Sequence, residues 1–248
     1  MLEGLHSAAA GMAAQQERIG AVSNDLANVT TTGYKHVRIG FRDLMYQNAG
    51  RPSVQGNNAR TGTGAAAVDA GRAMSQGAME ATDSPLDVAI QGEGFLRVRL
   101  ADGRQALTRD GALRIDGEGR LTNSDGNLMQ PAIRVPKGVA SGDVRIGPDG
   151  TVSTAAGARL GKLDLVTVRA PQGLETVGGN AFIPSAASGA PTRAPQATTL
   201  AGGALEGSNV DMSDAMIEMI DAQRSYQLAS KAIETANQMM EIANGVKR

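Results

Sequence analysis

Apolar residues recur every seven positions at both ends of this chain, and that repeat limits what the ends can become. Leu5, Met12, Ile19 and Leu26 follow one another at steps of seven within residues 2–29, a stretch without proline. Ala8, Val22 and Val29 take the second apolar position, and Gln15 interrupts it. The C-terminal segment is stricter. Met212, Met219, Tyr226, Ile233 and Met240 form one row, with Ala215, Ala222, Ala229, Ala236 and Ala243 beside it. A stripe this narrow is matched in width to another helix. Alanines let two helix axes approach closely, and methionines adapt to varied neighbours. Asn209 or Asp211 is expected to cap the second helix, with Asp211 and Asp214 at the positive end of its dipole. The first should end near Asn28, in a turn-rich run where Gly33 supplies a left-handed residue.

Two arrangements satisfy such stripes. The helices can form the core of one globular domain, or they can pair and pack with copies of themselves. The middle of the chain favours the second, because it carries apolar faces of its own. Residues 86–169 are broken by Gly92-Glu93-Gly94 and by Asp-Gly pairs at 102–103, 110–111, 116–117, 125–126 and 149–150. Asp-Gly between short apolar runs is the strongest local hairpin signal. Strands are expected at 86–90, 95–100, 112–115, 133–135, 143–146 and 162–168. Residues 47–66 hold few large apolar side chains and read as an exposed loop. Residues 171–204, rich in Gly, Pro and Ala, read as a return segment. The expected class is α+β, with paired terminal heptad helices and a central antiparallel β domain. The expected domains are 1–46 with 205–248 for helical assembly, 47–84 as loop and connector, and 85–204 as a β-rich outer domain.

Composition removes several function classes. Twenty-four basic residues balance 25 acidic ones, so no net charge draws the chain to nucleic acid or an anionic membrane. With no cysteine, disulfides and thiolate metal sites are impossible. No apolar run is long enough to span a bilayer, so no membrane insertion is expected. The N-terminal run lacks the basic and unbroken apolar regions of a cleaved signal peptide. The two histidines, His6 and His36, have no partners in sequence that suggest a catalytic triad. Asp116-Gly117-Glu118-Gly119-Arg120 lacks the third ligand and closing Glu of a calcium loop, and reads as a hairpin turn. Gly92-Glu93-Gly94 lacks the third glycine of a dinucleotide fingerprint. Lys35, Arg38 and Arg42, beside Tyr34 and Phe41, read as a solvated basic face flanking two buried aromatics. No catalytic residue, cofactor or metal site is expected.

Several stretches resemble one family. Ser23–Val29 followed by Thr32-Gly33-Tyr34-Lys35 is similar to the N-terminal signature of flagellar rod, hook and hook-associated proteins. Phe41–Gln47 resembles the distal-rod type in particular, as does Gln223-Arg224-Ser225-Tyr226. Ser84–Phe95 and Thr108–Leu113 are similar to the opening of the β domain shared by rod proteins, and Leu205–Asp211 to the approach to the C-terminal helix. The resemblance implies a non-enzymatic subunit, exported through the flagellar type III channel and added at the growing tip. It implies partners in copies of itself, other rod subunits, the hook and the export apparatus, within the basal body of the cell envelope. Leu5, Met12, Ile19, Leu26, Met212, Met219, Ala222, Tyr226, Ala229, Ile233, Ala236 and Met240 are the expected assembly seam. A proximal-rod or hook-type axial protein is the nearest alternative, and a secreted β-domain adhesin with helical ends is the alternative of another class.

Overall fold

The computed structural model describes residues 2–44, 46–48, 60–62 and 64–245. It has a helix at each end and an antiparallel β region between them, as the heptads and turn pairs predict. The chain divides into two compact units. One comprises residues 1–27, 37–70 and 211–248, and the other 28–36 and 71–210.

The first unit holds helix α1 (Leu2–Ala27) and helix α2 (Met212–Gly245), which pack on each other. Asp211 caps α2. Its Oδ1 accepts from the backbone N–H of Ser213 at 2.7 Å and of Asp214 at 3.2 Å, while its carbonyl accepts from Ala215. This satisfies donors that a helix start leaves without intrahelical partners. Beyond α1, the carboxylate of Asp25 accepts from the backbone N–H of Val37 at 3.1 and 3.3 Å and ties the following strand to the helix. That strand, Val37–Asp43, pairs with Ala65–Arg72, and Tyr46–Asn48 pairs with Arg60–Gly62. The expected loop at 47–66 thus begins and ends in strand. Its centre, residues 49–59, lies outside the described residues. Residues 65–72 and 79–81, expected as connector, are also strands.

The second unit is built on a nine-stranded antiparallel sheet. Its spine runs Glu175–Gly178, Ala181–Ile183, Gln105–Thr108, Phe95–Arg99, Leu128–Gln130, Leu121–Thr122 and Arg114–Ile115. Alternate residues of a strand point to opposite faces. Leu96, Val98 and Ala106 accordingly join one core with Val88, Ile90, Met129, Val144, Val152 and Leu200. Phe95 and Leu107 join a second with Val166, Leu174 and Phe182. The rings of Phe95 and Phe182 meet edge to face, 6.2 Å apart. A three-stranded sheet, Val144–Ile146, Thr151–Thr154 and Arg159–Lys162, packs Val144 and Val152 into the first core.

Most of the Asp-Gly pairs turn the chain as expected. Gly103, Gly126 and Gly150 adopt φ of +87°, +81° and +85° between paired strands. At the 116–120 turn the left-handed residue is Gly119, not Gly117. Asp110-Gly111 is different. The Gly111 carbonyl accepts from the backbone N–H of both Val88 and Leu113, and a Cβ there would lie 1.6 Å from the Val88 oxygen. This glycine serves a close backbone crossing. The expected return segment, placed within the β-rich region 85–204, carries strands. Residues 175–178, 181–183, 192–193 and 199–202 are strands, the last paired with Val88–Gln91.

Candidate assembly surfaces

Helices α1 and α2 pack on each other, and the most buried residues of α2 are alanines. Ala222 is completely buried, Ala215 nearly so, and Ala229 and Ala236 are half-buried. On α1 the buried residues are Ala14 and Val22, while Leu5, Met12, Ile19 and Leu26 are half-buried. Arg18 faces Glu218 across the pair at 3.8 Å. Gln15, the polar break in the heptad, has its Oε1 buried without a hydrogen-bond partner among the described residues. The other row of α2 is less enclosed. Met219, Ile233 and Met240 are half-buried, and Met212 and Tyr226 are exposed. Ala243 lies outside the side chains described.

A second apolar row on α2 was missed by heptad reading. Ile217, Leu228 and Met239 are 58%, 73% and 55% exposed, and Ile220 and Ile242 are 48% and 67% exposed. Their spacing is eleven, with Ile220 and Ile242 three residues beyond Ile217 and Met239. An α-helix turns about 100° per residue, so eleven residues bring a side chain back to nearly the same face. At the start of α2 that face lies opposite Ala215 and Ala222. Eleven-residue spacing is the signal that would have found it.

The second unit buries an ion triad. The Lys35 ammonium meets Glu206 Oε1 at 2.5 Å, and Arg109 Nη1 donates to both Glu206 oxygens at 3.1 and 3.0 Å. Neither Lys35 nor Glu206 exposes any side-chain surface. Backbone carbonyls take further donors of the two cations. Lys35 donates to Ser75, and Arg109 to Gly94 and Gly92. The Gly77 N–H also donates to Glu206 Oε1. Burial pushes the Lys35 pKa below the ordinary lysine value, against the opposing pull of Glu206. These contacts join the segment after α1, the β sheet and the segment before α2. Asn209 reinforces the joint, accepting from the His36 N–H and donating to the Ala73 carbonyl.

The basic face expected at Lys35, Arg38 and Arg42 is therefore corrected. Lys35 is 1% exposed because Glu206, distant in sequence, neutralises it. Tyr34 is buried as expected, under the guanidinium of Arg72, but Phe41 is 45% exposed. The acids of the 116–120 turn serve the turn itself. Asp116 accepts from the backbone of Glu118 and Arg120 and from Arg120 Nε, and the Arg120 bonds hold its carboxyl below the usual range.

Comparison with known proteins covers the same regions. Residues 5–35 match the family described as "Flagella basal body rod protein", 89–154 "Flagellar hook protein FlgE/F/G D1 domain", and 201–246 "Flagellar basal body rod FlgEFG protein C-terminal". The chain is 38% identical to the flagellar basal-body rod protein FlgG of Borreliella burgdorferi over the whole of both. The chain belongs to the flagellar basal-body rod protein family. It is also 34% identical to FlgG of Bacillus subtilis over the whole of both chains, and 32% identical to FlgF of Escherichia coli over 90% of each. All three charges of the buried triad fall in stretches whose resemblance to rod proteins the sequence displays: Tyr34-Lys35, Thr108–Leu113 and Leu205–Asp211. No helix among the described residues is long and apolar enough to cross a membrane.

Proposed function

We propose that this rod-family chain is a structural subunit of the distal rod, polymerising through its terminal helices into a rigid tube that carries torque to the hook. The apolar surface left open on α2 supports this reading most directly. Five large aliphatic side chains stand about half to three-quarters exposed on a helix whose other face is already occupied. A lone subunit gains nothing from that exposure, whereas burial of each such side chain contributes about 1.5–3 kcal/mol. The distal assignment is supported by Phe41–Gln47 and Gln223–Tyr226, which resemble that type.

The expected seam, from Leu5 to Leu26 and from Met212 to Met240, belongs to this proposal. Half-burial in the single chain leaves Ile19, Met219, Ile233 and Met240 further surface for neighbours. The subunit acts without catalysis or cofactor, and its partners are its own copies, other rod subunits and the hook. It reaches the basal body through the flagellar export apparatus, without a cleaved signal peptide. Purified chain incubated above its critical concentration should give sedimentable, straight tubes by electron microscopy. Chain that stays monomeric under every condition in which related rod proteins polymerise refutes the reading and favours a monomeric β-domain binder.

A further inference from the structure

We infer that a small cavity in the second unit binds a zwitterion of the amino-acid type, its carboxylate on Arg193 and its ammonium on Asp164. The cavity measures about 190 Å³ and lies where the Asp149-Gly150 turn and residues 162–165 face residues 193–198. All of its lining belongs to the β-rich unit, so the site is independent of the terminal helices.

Backbone hydrogen bonds set the walls. The Leu163 N–H donates to the Gly150 carbonyl at 2.8 Å, the Ala194 N–H to the Leu165 carbonyl at 3.0 Å, and the Leu200 N–H to the Pro148 carbonyl at 3.0 Å. The Thr198 N–H donates to the Pro195 carbonyl, and its hydroxyl to the Glu93 carbonyl at 2.8 Å. A cavity formed in advance spares its ligand the cost of ordering loops. Leu163, Leu165 and Pro195 add apolar surface to the lining. The volume equals that of roughly six waters and falls below the range of drug-sized pockets, so the occupant is small.

Charge selects among small ligands. Lys162 and Arg193 line the cavity with Asp149 and Asp164, two bases with two acids. One of each is committed. The Asp149 carboxylate accepts from the Thr151 N–H at 3.1 Å and the Thr151 hydroxyl at 2.6 Å, and faces Lys162 at 3.6 Å. The charged groups of Arg193 and Asp164 have no ion-pair or hydrogen-bond partner among the described residues, although both line this one cavity. The space between them is a slot for a molecule that carries both signs. A guanidinium presents paired donors suited to a carboxylate, and a carboxylate accepts from an ammonium. A phosphate or dicarboxylate would be repelled by Asp164, and a polyamine by Arg193, whereas a zwitterion meets attraction at both ends. The chain's net charge of −1 adds little long-range pull on either sign. A free amino acid and a short peptide with both ends free share this chemistry.

NMR titration of the full isotope-labelled chain reads the site directly. With L-alanine or glycylglycine, the amides of Leu165, Ala194 and Gln196 should shift and saturate with a Kd on the order of 1 mM. The tighter of the two tells a free amino acid from a short peptide. N-acetylalanine and alaninamide each keep one charge and should bind roughly tenfold or more weakly, the effect of one lost charge-assisted contact. Arg193→Gln and Asp164→Asn replace exposed side chains and should each weaken the tighter zwitterion to the same extent with the melting temperature unchanged. Absence of a saturable shift at these amides, with either zwitterion well above the millimolar range, overturns the inference. Equal binding of a single-charge analogue overturns it too, since one charge then suffices. Full affinity in both variants puts the ligand elsewhere, and shifts reproduced by sodium chloride at the same ionic strength reduce the effect to screening; either result overturns the site.

Discussion

Glu206→Gln isolates the energetics of the buried triad. The substitution keeps side-chain shape and removes the anion that two cations share. Lys35 and Arg109 then remain buried around a neutral amide, and the Gly77 N–H loses a charged acceptor. Breaking a buried ion pair by removing one partner costs about 3–5 kcal/mol. A separate sum agrees: two charge-assisted partners at about 1.5–3 kcal/mol each give roughly 3–6 kcal/mol. For a unit of this size, each kcal/mol shifts the melting temperature by about 2–4 °C, so a fall of roughly 6–20 °C is expected. Thermal unfolding followed by circular dichroism measures it. The double variant Lys35→Met/Glu206→Gln removes one stranded cation as well and should unfold less readily than the two single effects added together, by at least about 1 kcal/mol. A Glu206→Gln transition within about 2 °C of the parent, or strict additivity in the double variant, refutes the account. Either result means that water, not Glu206, balances the two cations.

Three further perturbations test other parts of the structure. Gly33→Ala should destabilise the chain by about 1–3 kcal/mol in chemical denaturation, because Gly33 has φ of +68° and a Cβ there would lie 2.8 Å from the Arg109 carbonyl carbon. Ala222→Leu should cost about 1–3 kcal/mol in the same assay by overpacking the α1–α2 seam, where Ala222 is completely enclosed. Asp149 is held at about 2, below its ordinary 3.8, first by the Thr151 hydroxyl and backbone N–H. Its folded pKa is depressed, so its contribution is present above 3.8 and is lost as pH falls towards about 2. Asp149→Asn should flatten the stability–pH curve in that interval, measured by denaturant midpoint, and leave neutral-pH slopes unchanged.

The helices were legible because a heptad is a local pattern. The stretches 2–29 and 212–243 became Leu2–Ala27 and Met212–Gly245, and the Asp211 cap was among the two residues expected. Hairpins at 102–103, 125–126 and 149–150 were legible for the same reason, since the turn and both strands are adjacent. The strands of residues 175–202 were hidden by their composition. Thr199–Gly202 offers one large aliphatic residue, Leu200, and pairs with Val88–Gln91 across more than a hundred residues. The triad was hidden more thoroughly. Lys35 beside Arg38 looks like a surface charge until Glu206 arrives from 171 positions away. The outward face of α2 was present in the sequence, but at a period of eleven that a search for sevens passes over.

The two periods on α2 bear on twist. Ala215, Ala222, Ala229 and Ala236 repeat every seven residues and drift about 20° per repeat in one sense on a straight α-helix. Ile217, Leu228 and Met239 repeat every eleven and drift in the opposite sense. Seven-residue contacts favour a left-handed supercoil, and eleven-residue contacts a right-handed one. A helix gripped on both rows has no direction in which to unwind: twisting that improves one row's fit misaligns the other. With α1 of its own chain on the alanine row and a partner on the other, α2 would resist torsion in either sense, and, on the assembly proposed above, a tube of such helices would be stiff to rotation about its own axis.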